Sequence, residues 1–277
     1  MPVISGSEAF DWAEKGKKAL LAFNAITIEQ AEGIVWGAEA LRVPFVLQLS
    51  QNAIKFHRNP GPIASALRSL AESSTAPTVL HLDHVTDDDL AHQTAQLAFG
   101  SVMWDSSHHD YDTNVRQTQE VVALAHSENI WVESELGEIG GKDGAHAPGV
   151  RTNPLEAAAF AQHTGIDALA VAVGSSHAMT EKSARLDIDL IAEIAQAVSV
   201  PLVLHGSSGV PDGALVAARD AGMRKINIGT ALSVAYTDSI RHELAKNPQI
   251  VDPRKYLAAT RDRVAANVSH YMNLLSV

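Results

Sequence analysis

The 277-residue chain has no cysteine. Disulfides and thiolate metal sites are therefore excluded, and any metal must be held by His, Asp or Glu. The absence fits a cytoplasmic protein. Basic runs are missing too: no Lys/Arg run exceeds two residues, and the formal net charge is −11. Nucleic-acid binders usually carry a basic face, so neither nucleic acid nor an anionic membrane is an expected partner. No apolar run approaches the roughly 20 residues that span a bilayer. Residues 1–8 show neither a basic n-region nor an apolar h-region, so no secretory signal is expected. An acidic chain that binds phosphate must do so through local devices such as helix N-termini or a metal.

Hydrophobic residues make up 46% of the chain, enough for a large core. They follow a repeating order, in which short Val/Ile/Leu runs alternate with stretches of helical periodicity. Strands are expected near residues 19–23, 45–49, 78–82, 101–104, 130–134, 168–173, 202–204 and 225–228. Helices are expected near 27–41, 87–97, 113–128, 154–162, 187–197 and 212–221, with two more at 231–246 and 253–275. Eight strands alternating with helices imply a parallel sheet buried on both faces. An open doubly wound sheet shares that alternation. The length fits one (β/α)8 TIM barrel over residues 1–277, with a helical extension at about 253–275. The longest irregular segment, 137–153, is rich in glycine and follows strand five, as an active-site lid would.

The strand ends carry the chemistry. Strands one and two end at Asn24 and Ser50, and strand three ends in Asp83 and His84. Strand four ends in Asp105, strand five in Glu133 and Glu135, and strand six runs into Gly174-Ser175-Ser176-His177. Strand seven runs into His205-Gly206-Ser207-Ser208-Gly209, and strand eight into Asn227-Ile-Gly229-Thr230. In a barrel these ends converge on one mouth, where active sites sit. This convergence separates the barrel from the open sheet.

His84, His177 and His205 stand at the same end of three different strands. Three neutral imidazoles leave a fourth tetrahedral position open, as in catalytic zinc sites. His57, His108, His109 and His146 read as surface or hydrogen-bonded groups, and mid-strand His81 as a barrel-core or supporting residue. Asp83 fits either a proton relay beside a metal-bound substrate or a cap for the helix near Asp87. Asp105 and Glu135 fit either alternative ligands or ligand supports. Buried acids of this kind call for a cation nearby. The turns after strands seven and eight both open helices, and barrels often hold a phosphate between those two loops.

Several segments together resemble one family. They are Ala22-Phe-Asn24, His81-Leu-Asp-His84, Val132-Glu-Ser-Glu-Leu-Gly137, Ala172-Val-Gly-Ser-Ser-His177, Pro201–Gly209 and Lys225-Ile-Asn-Ile-Gly-Thr230. In order, and over nearly the whole chain, they are similar to the class II fructose-bisphosphate and tagatose-bisphosphate aldolases, more to the shorter tagatose-type branch. The resemblance implies cleavage of a ketose 1,6-bisphosphate to dihydroxyacetone phosphate and an aldehyde phosphate. It implies a catalytic zinc on His84, His177 and His205, with Asp105 and Glu135 at a second or alternative metal position. Asp83 would handle the proton at the aldehyde oxygen. Asn24, Ser50, Ala178, Gly206, Ser207, Ser208, Asn227, Gly229 and Thr230 would line the substrate pocket, with a monovalent cation near the phosphate. A loop acid would move the proton at C3 of the three-carbon ketone, and by count it is Asp143. A homodimer or homotetramer is expected.

Two departures stand out. Ala178 occupies a position that is usually glycine in the family, and the loop acid is Asp rather than Glu, with His146 as a substitute. Arg151, Arg254 and Arg261 are candidates for a second phosphate. No lysine stands at a strand end for a Schiff base, and Lys225 opens strand eight at the far end from Thr230. Competing readings are an aldolase for another phosphorylated keto sugar or acid, a zinc hydrolase, and a non-catalytic sugar-phosphate binder.

Overall fold

In the computed structural model, which describes residues 3–137 and 150–277, eight parallel strands close into a barrel in sequence order. The strands are β1 (Leu20–Asn24), β2 (Phe45–Ser50), β3 (Thr78–Val85), β4 (Ser101–Trp104), β5 (Trp131–Leu136), β6 (Ala168–Val171), β7 (Leu202–Leu204) and β8 (Met223–Ile228). The helices before β3 are α1 (Gly6–Gly16), α2 (Ile28–Glu39), α3 (Gln51–His57) and α4 (Pro60–Ser73). Those after it are α5 (Asp88–His92), α6 (Tyr111–Ser127), α7 (Pro154–Thr164), α8 (Ile188–Ala197), α9 (Asp212–Ala221), α10 (Thr230–Lys246) and α11 (Pro253–Leu275). The closed barrel is the fold class expected from the convergence of the strand ends.

Side chains two apart on a strand share a face. The outward set, including Leu21, Phe23, Leu47, Leu82, Trp104, Leu169 and Ile226, packs under the helices in one large core. The inward set starts apolar: Leu20, Ala22, Val46, Val79, Met103, Ala168, Ala170 and Val203 cluster with Ala9, Phe10 and Ala13 of α1. Helix α1 therefore plugs the barrel at the N-terminal ends of the strands. A capping box starts it, with Ser5 Oγ accepting from Glu8 N–H and the Glu8 carboxylate accepting from Ser5 N–H. Phe10 stacks on Trp131 at 4.4 Å between ring centroids.

Helix α11 packs along α2, where Gly37 permits the approach: a Cβ there would lie 2.5 Å from the Ala265 carbonyl. Its C-terminal end ties to the start of the barrel, with Ala19 N–H donating to Leu275 O at 3.0 Å. The helix read as an extension thus packs against the outer helices and is tied to the start of the barrel.

Several boundaries differ from those expected. Strand β3 runs on through Asp83 and His84, β5 includes Glu133 and Glu135, and β6 stops at Val171. The helix expected at 87–97 is only Asp88–His92, capped by Asp87 Oδ1, and 94–97 form turns. Helices α1, α3 and α4 were not among those expected. Among the described residues no helix is long and apolar enough to cross a membrane.

Candidate metal-centred active site

The inward columns turn polar toward the C-terminal ends of the strands. Gln48, His81, Glu133 and Lys225 lie buried in the barrel, two residues below Ser50, Asp83, Glu135 and Asn227, and Ser101 is buried against His81. Above them opens a cavity of about 540 Å³. Asn24, Ser50, Asp83, His84, Asp105, His177, Ala178, His205, Gly206, Ser207, Ser208, Asn227, Gly229 and Thr230 all line it. Of the described residues proposed from the sequence for the metal, the proton at the aldehyde oxygen and the pocket wall, only Glu135 is absent from this lining, and it lies buried beside the cluster. Asp143 and His146 lie outside the described residues.

His84 reaches the mouth through an irregularity. The β3–β4 register holds at Leu82–Val102, slips, and resumes at Val85–Trp104. His84 sits in the slip with φ +51°. A regular strand would send Asp83 and His84 to opposite faces. The slip turns both into the cavity, and the left-handed backbone costs about 1–2 kcal/mol.

Ligand-capable atoms of His84, His177 and His205 lie within 4.8 Å of one another. The three rings stand nearly perpendicular, with centroids 4.7–5.6 Å apart. Carboxylates set two of the tautomers. His84 Nδ1 lies 3.0 Å from Asp105 Oδ2, and His205 Nε2 lies 2.8 Å from Glu133 Oε1. Each of those nitrogens therefore donates, which leaves lone pairs on His84 Nε2 and His205 Nδ1. These two nitrogens face each other at 3.0 Å. A shared proton or a metal ion joins nitrogens so placed, and three imidazoles with ligand atoms this close fit a divalent metal. His84, Asp105 and Glu135 form a second possible group, again within 4.8 Å.

Asp83 does not cap α5, since Asp87 does so. Its Oδ2 accepts from Asn24 Nδ2 at 2.7 Å, and Asn24 Oδ1 accepts from Gln48 Nε2 at 3.0 Å. Asp83 Oδ1 is buried with no hydrogen-bond partner among the described residues. Burial works to raise the Asp83 pKa. The electrostatic influence of the His84, His205 and Lys225 positions, with the Asn24 hydrogen bond, outweighs it, so the carboxyl titrates below the usual aspartate range. Burial, aided by Lys225, holds His81 well below the usual imidazole range, and its Nδ1 meets Ser101 Oγ at 2.7 Å.

The turns after β7 and β8 form the other side of the cavity. Gly206 has φ +66°, and a Cβ there would lie 2.5 Å from the Ser176 backbone. Glycine thus lets this turn press against the loop that carries His177. Helix α10 begins at Thr230 with no side-chain cap, and Ser208 Oγ accepts from Ala231 N–H at 3.0 Å. A helix start whose own N-cap residue, Gly229, gives no side-chain cap, next to small residues, suits an anion. Ser50 Oγ accepts from Ala53 N–H and so also caps α3.

The arginines expected for a second phosphate are placed elsewhere. Arg254 pairs with Asp252, Arg261 pairs with Glu32 at 2.6 Å, and neither they nor Arg151 line the cavity. The lining instead includes Lys55 on α3 and His108. Lys55 was not considered from the sequence, and no local motif marks it. Glu133 and Lys225 were noticed without a role, and the i, i+2 spacing to Glu135 and Asn227 was the available signal.

A closed parallel barrel with imidazoles, carboxylates and anion-facing turns at one mouth places the chain among barrel enzymes that work from that rim. The family model for class-II fructose-bisphosphate aldolase matches residues 4–277. A fructose-bisphosphate aldolase of Geobacillus stearothermophilus is 35% identical over 272 residues, 97% of this chain and 95% of that protein. One from Thermus caldophilus is 35% identical over 299 residues, 98% and 97% of the two chains. The crystal structure of the YdjI aldolase from Escherichia coli K12 superposes with a TM-score of 0.87 at 28% identity, over 99% of this chain and 97% of that one. The chain belongs to the class II fructose-bisphosphate aldolase family. By family it is an aldolase, a carbon–carbon lyase.

Proposed function

We propose that the chain catalyses reversible aldol cleavage of a ketose 1,6-bisphosphate, of the fructose or tagatose type, to dihydroxyacetone phosphate and an aldehyde phosphate. The observation that carries this reading is the 3.0 Å approach of His84 Nε2 and His205 Nδ1, with Asp83 on the same rim. His84, His177 and His205 would hold one zinc, a borderline-soft ion that such nitrogen sets suit. His84, Asp105 and Glu135 offer a second or alternative position. When bound, zinc supplies Lewis-acid stabilisation of negative charge on the ketose oxygens.

The residues of the chain handle the protons and the phosphate. Asp83, ionised and aimed by Asn24, takes the proton from the C4 hydroxyl in cleavage and returns it to the aldehyde oxygen in condensation. The electron pair of the broken C3–C4 bond stays with the three-carbon half. A proton delivered to C3 then completes dihydroxyacetone phosphate, and Asp143 is assigned to this step. Gly206, Ser207, Ser208, Gly229 and Thr230 receive the phosphate of that half, with a monovalent cation beside it. Ser50, Ala178 and Asn227 complete the wall. A homodimer or homotetramer belongs to the same reading, and sedimentation velocity tests it.

The experiment is a cleavage screen over ketose mono- and bisphosphates, run with and without chelator. Cleavage of a ketose bisphosphate that chelator abolishes and zinc restores supports the reading. Cleavage of monophosphates alone, or activity indifferent to chelator, contradicts it.

A further inference from the structure

We propose that Lys225 is a positioning residue for the metal centre, acting through Glu133 to hold His205 with Nδ1 facing the metal position. The proposal rests on the zinc reading above. Lys225 is 1% exposed, and its Nζ lies 2.6 Å from Glu133 Oε2. Glu133 and His205 are both 0% exposed, and the other carboxylate oxygen, Oε1, meets His205 Nε2 at 2.8 Å. The three groups form one buried line from the barrel interior to the rim. Lys225 lies two residues below Asn227 on β8, and Glu133 two residues below Glu135 on β5. Lys225 does not line the cavity. It therefore has no direct approach to a substrate, and its ion pair leaves it no free amine for covalent chemistry.

The arrangement is costly unless it has a use. A buried ion pair is seldom worth more than well-packed apolar side chains. What this pair adds is direction. Lys225 occupies Oε2 and leaves Oε1 to His205, which fixes the rotation of the carboxylate. That oxygen then accepts the Nε2 proton and keeps the Nδ1 lone pair toward His84. Carboxylates behind metal-bound imidazoles typically contribute 10–100-fold in metal affinity or activity. Lys225 holds that carboxylate in place from below.

The test uses the full-length apoprotein, titrated with zinc against a competing chelator, and the visible spectrum of its cobalt(II) form. Wild-type protein is measured first. If it binds no zinc, the zinc reading fails, whatever Lys225 does. If it binds, Lys225→Met should bind zinc about 10–100-fold more weakly, with an altered cobalt spectrum. Lys225→Arg, which keeps the charge, should recover part of the affinity. Should Lys225→Met fail to fold, Lys225→Met with Glu133→Gln removes both charges and keeps an acceptor for His205. That double variant should fold and still bind zinc more weakly. Wild-type affinity and spectrum in either folded variant would overturn the proposal, even with a lowered melting temperature. A double variant that does not fold would also overturn it, because the pair would then serve folding rather than the ligand.

Discussion

Asn24 Nδ2 donates to Asp83 Oδ2 at 2.7 Å, so one strand end aims the carboxylate of another. Burial raises the Asp83 pKa, and this bond joins the larger electrostatic influence of the His84, His205 and Lys225 positions in holding it down. A group with a depressed pKa is ionised above that value and loses its charge as pH falls through it. Removing the Asn24 donor raises the pKa. In Asn24→Ala the acid limb of the kcat/KM profile for cleavage should therefore move to higher pH. A limb that stays in place would contradict Asp83 as the proton acceptor.

Asp83→Ala should keep zinc and lose cleavage by about 10²–10⁴-fold, the usual contribution of a positioned acid or base. Turnover, metal content and melting temperature measured together decide the matter. A small rate loss with a large loss of zinc would make Asp83 a support for the metal centre instead.

Ala178 adopts φ +58°, a left-handed backbone that favours glycine. The conformation costs alanine about 1–2 kcal/mol, and glycine gives back about 0.5–1 kcal/mol through its freer unfolded chain. Ala178→Gly should shift stability by about 0–1.5 kcal/mol, toward greater stability. Urea midpoints read this directly, and a clear destabilisation would show that the methyl makes contacts that outweigh the strain.

Phe10, 5% exposed, joins the plug under the barrel, far from the rim. Phe10→Ala should cost about 3–5 kcal/mol while zinc affinity stays unchanged, since that end of a barrel serves stability. Denaturant unfolding and zinc titration of one preparation separate the two. A parallel loss of zinc affinity would show that the ends are coupled.

The rim was legible because a parallel barrel brings all its strand ends together, so polar groups that interrupt apolar runs in sequence meet in space. Twelve of the fourteen described pocket and metal residues other than Glu135 needed only that rule; Ala178 came from the family resemblance, and His84 is the other exception. Its place beside Asp83 on the same face depends on a register slip that no pattern of residue types encodes. The interior was less legible. His81 and Asp83, Glu133 and Glu135, and Lys225 and Asn227 are i, i+2 pairs on inward columns, interrupted by the outward residues Leu82, Ser134 and Ile226. Helix α1 carries a plain Ser5–Glu8 capping box, but only the packed barrel reveals it as a plug. Lys55 comes to the cavity from α3, a short helix without a motif.

The central claim is that three imidazoles hold a metal on which cleavage depends. Zinc titrated into metal-free protein while ketose-bisphosphate cleavage is recorded tests it most directly. The account predicts that activity rises from near zero and saturates at about one zinc per chain, as one tetrahedral site with three protein ligands requires. Full cleavage in the metal-free protein, unchanged by added zinc, would contradict it.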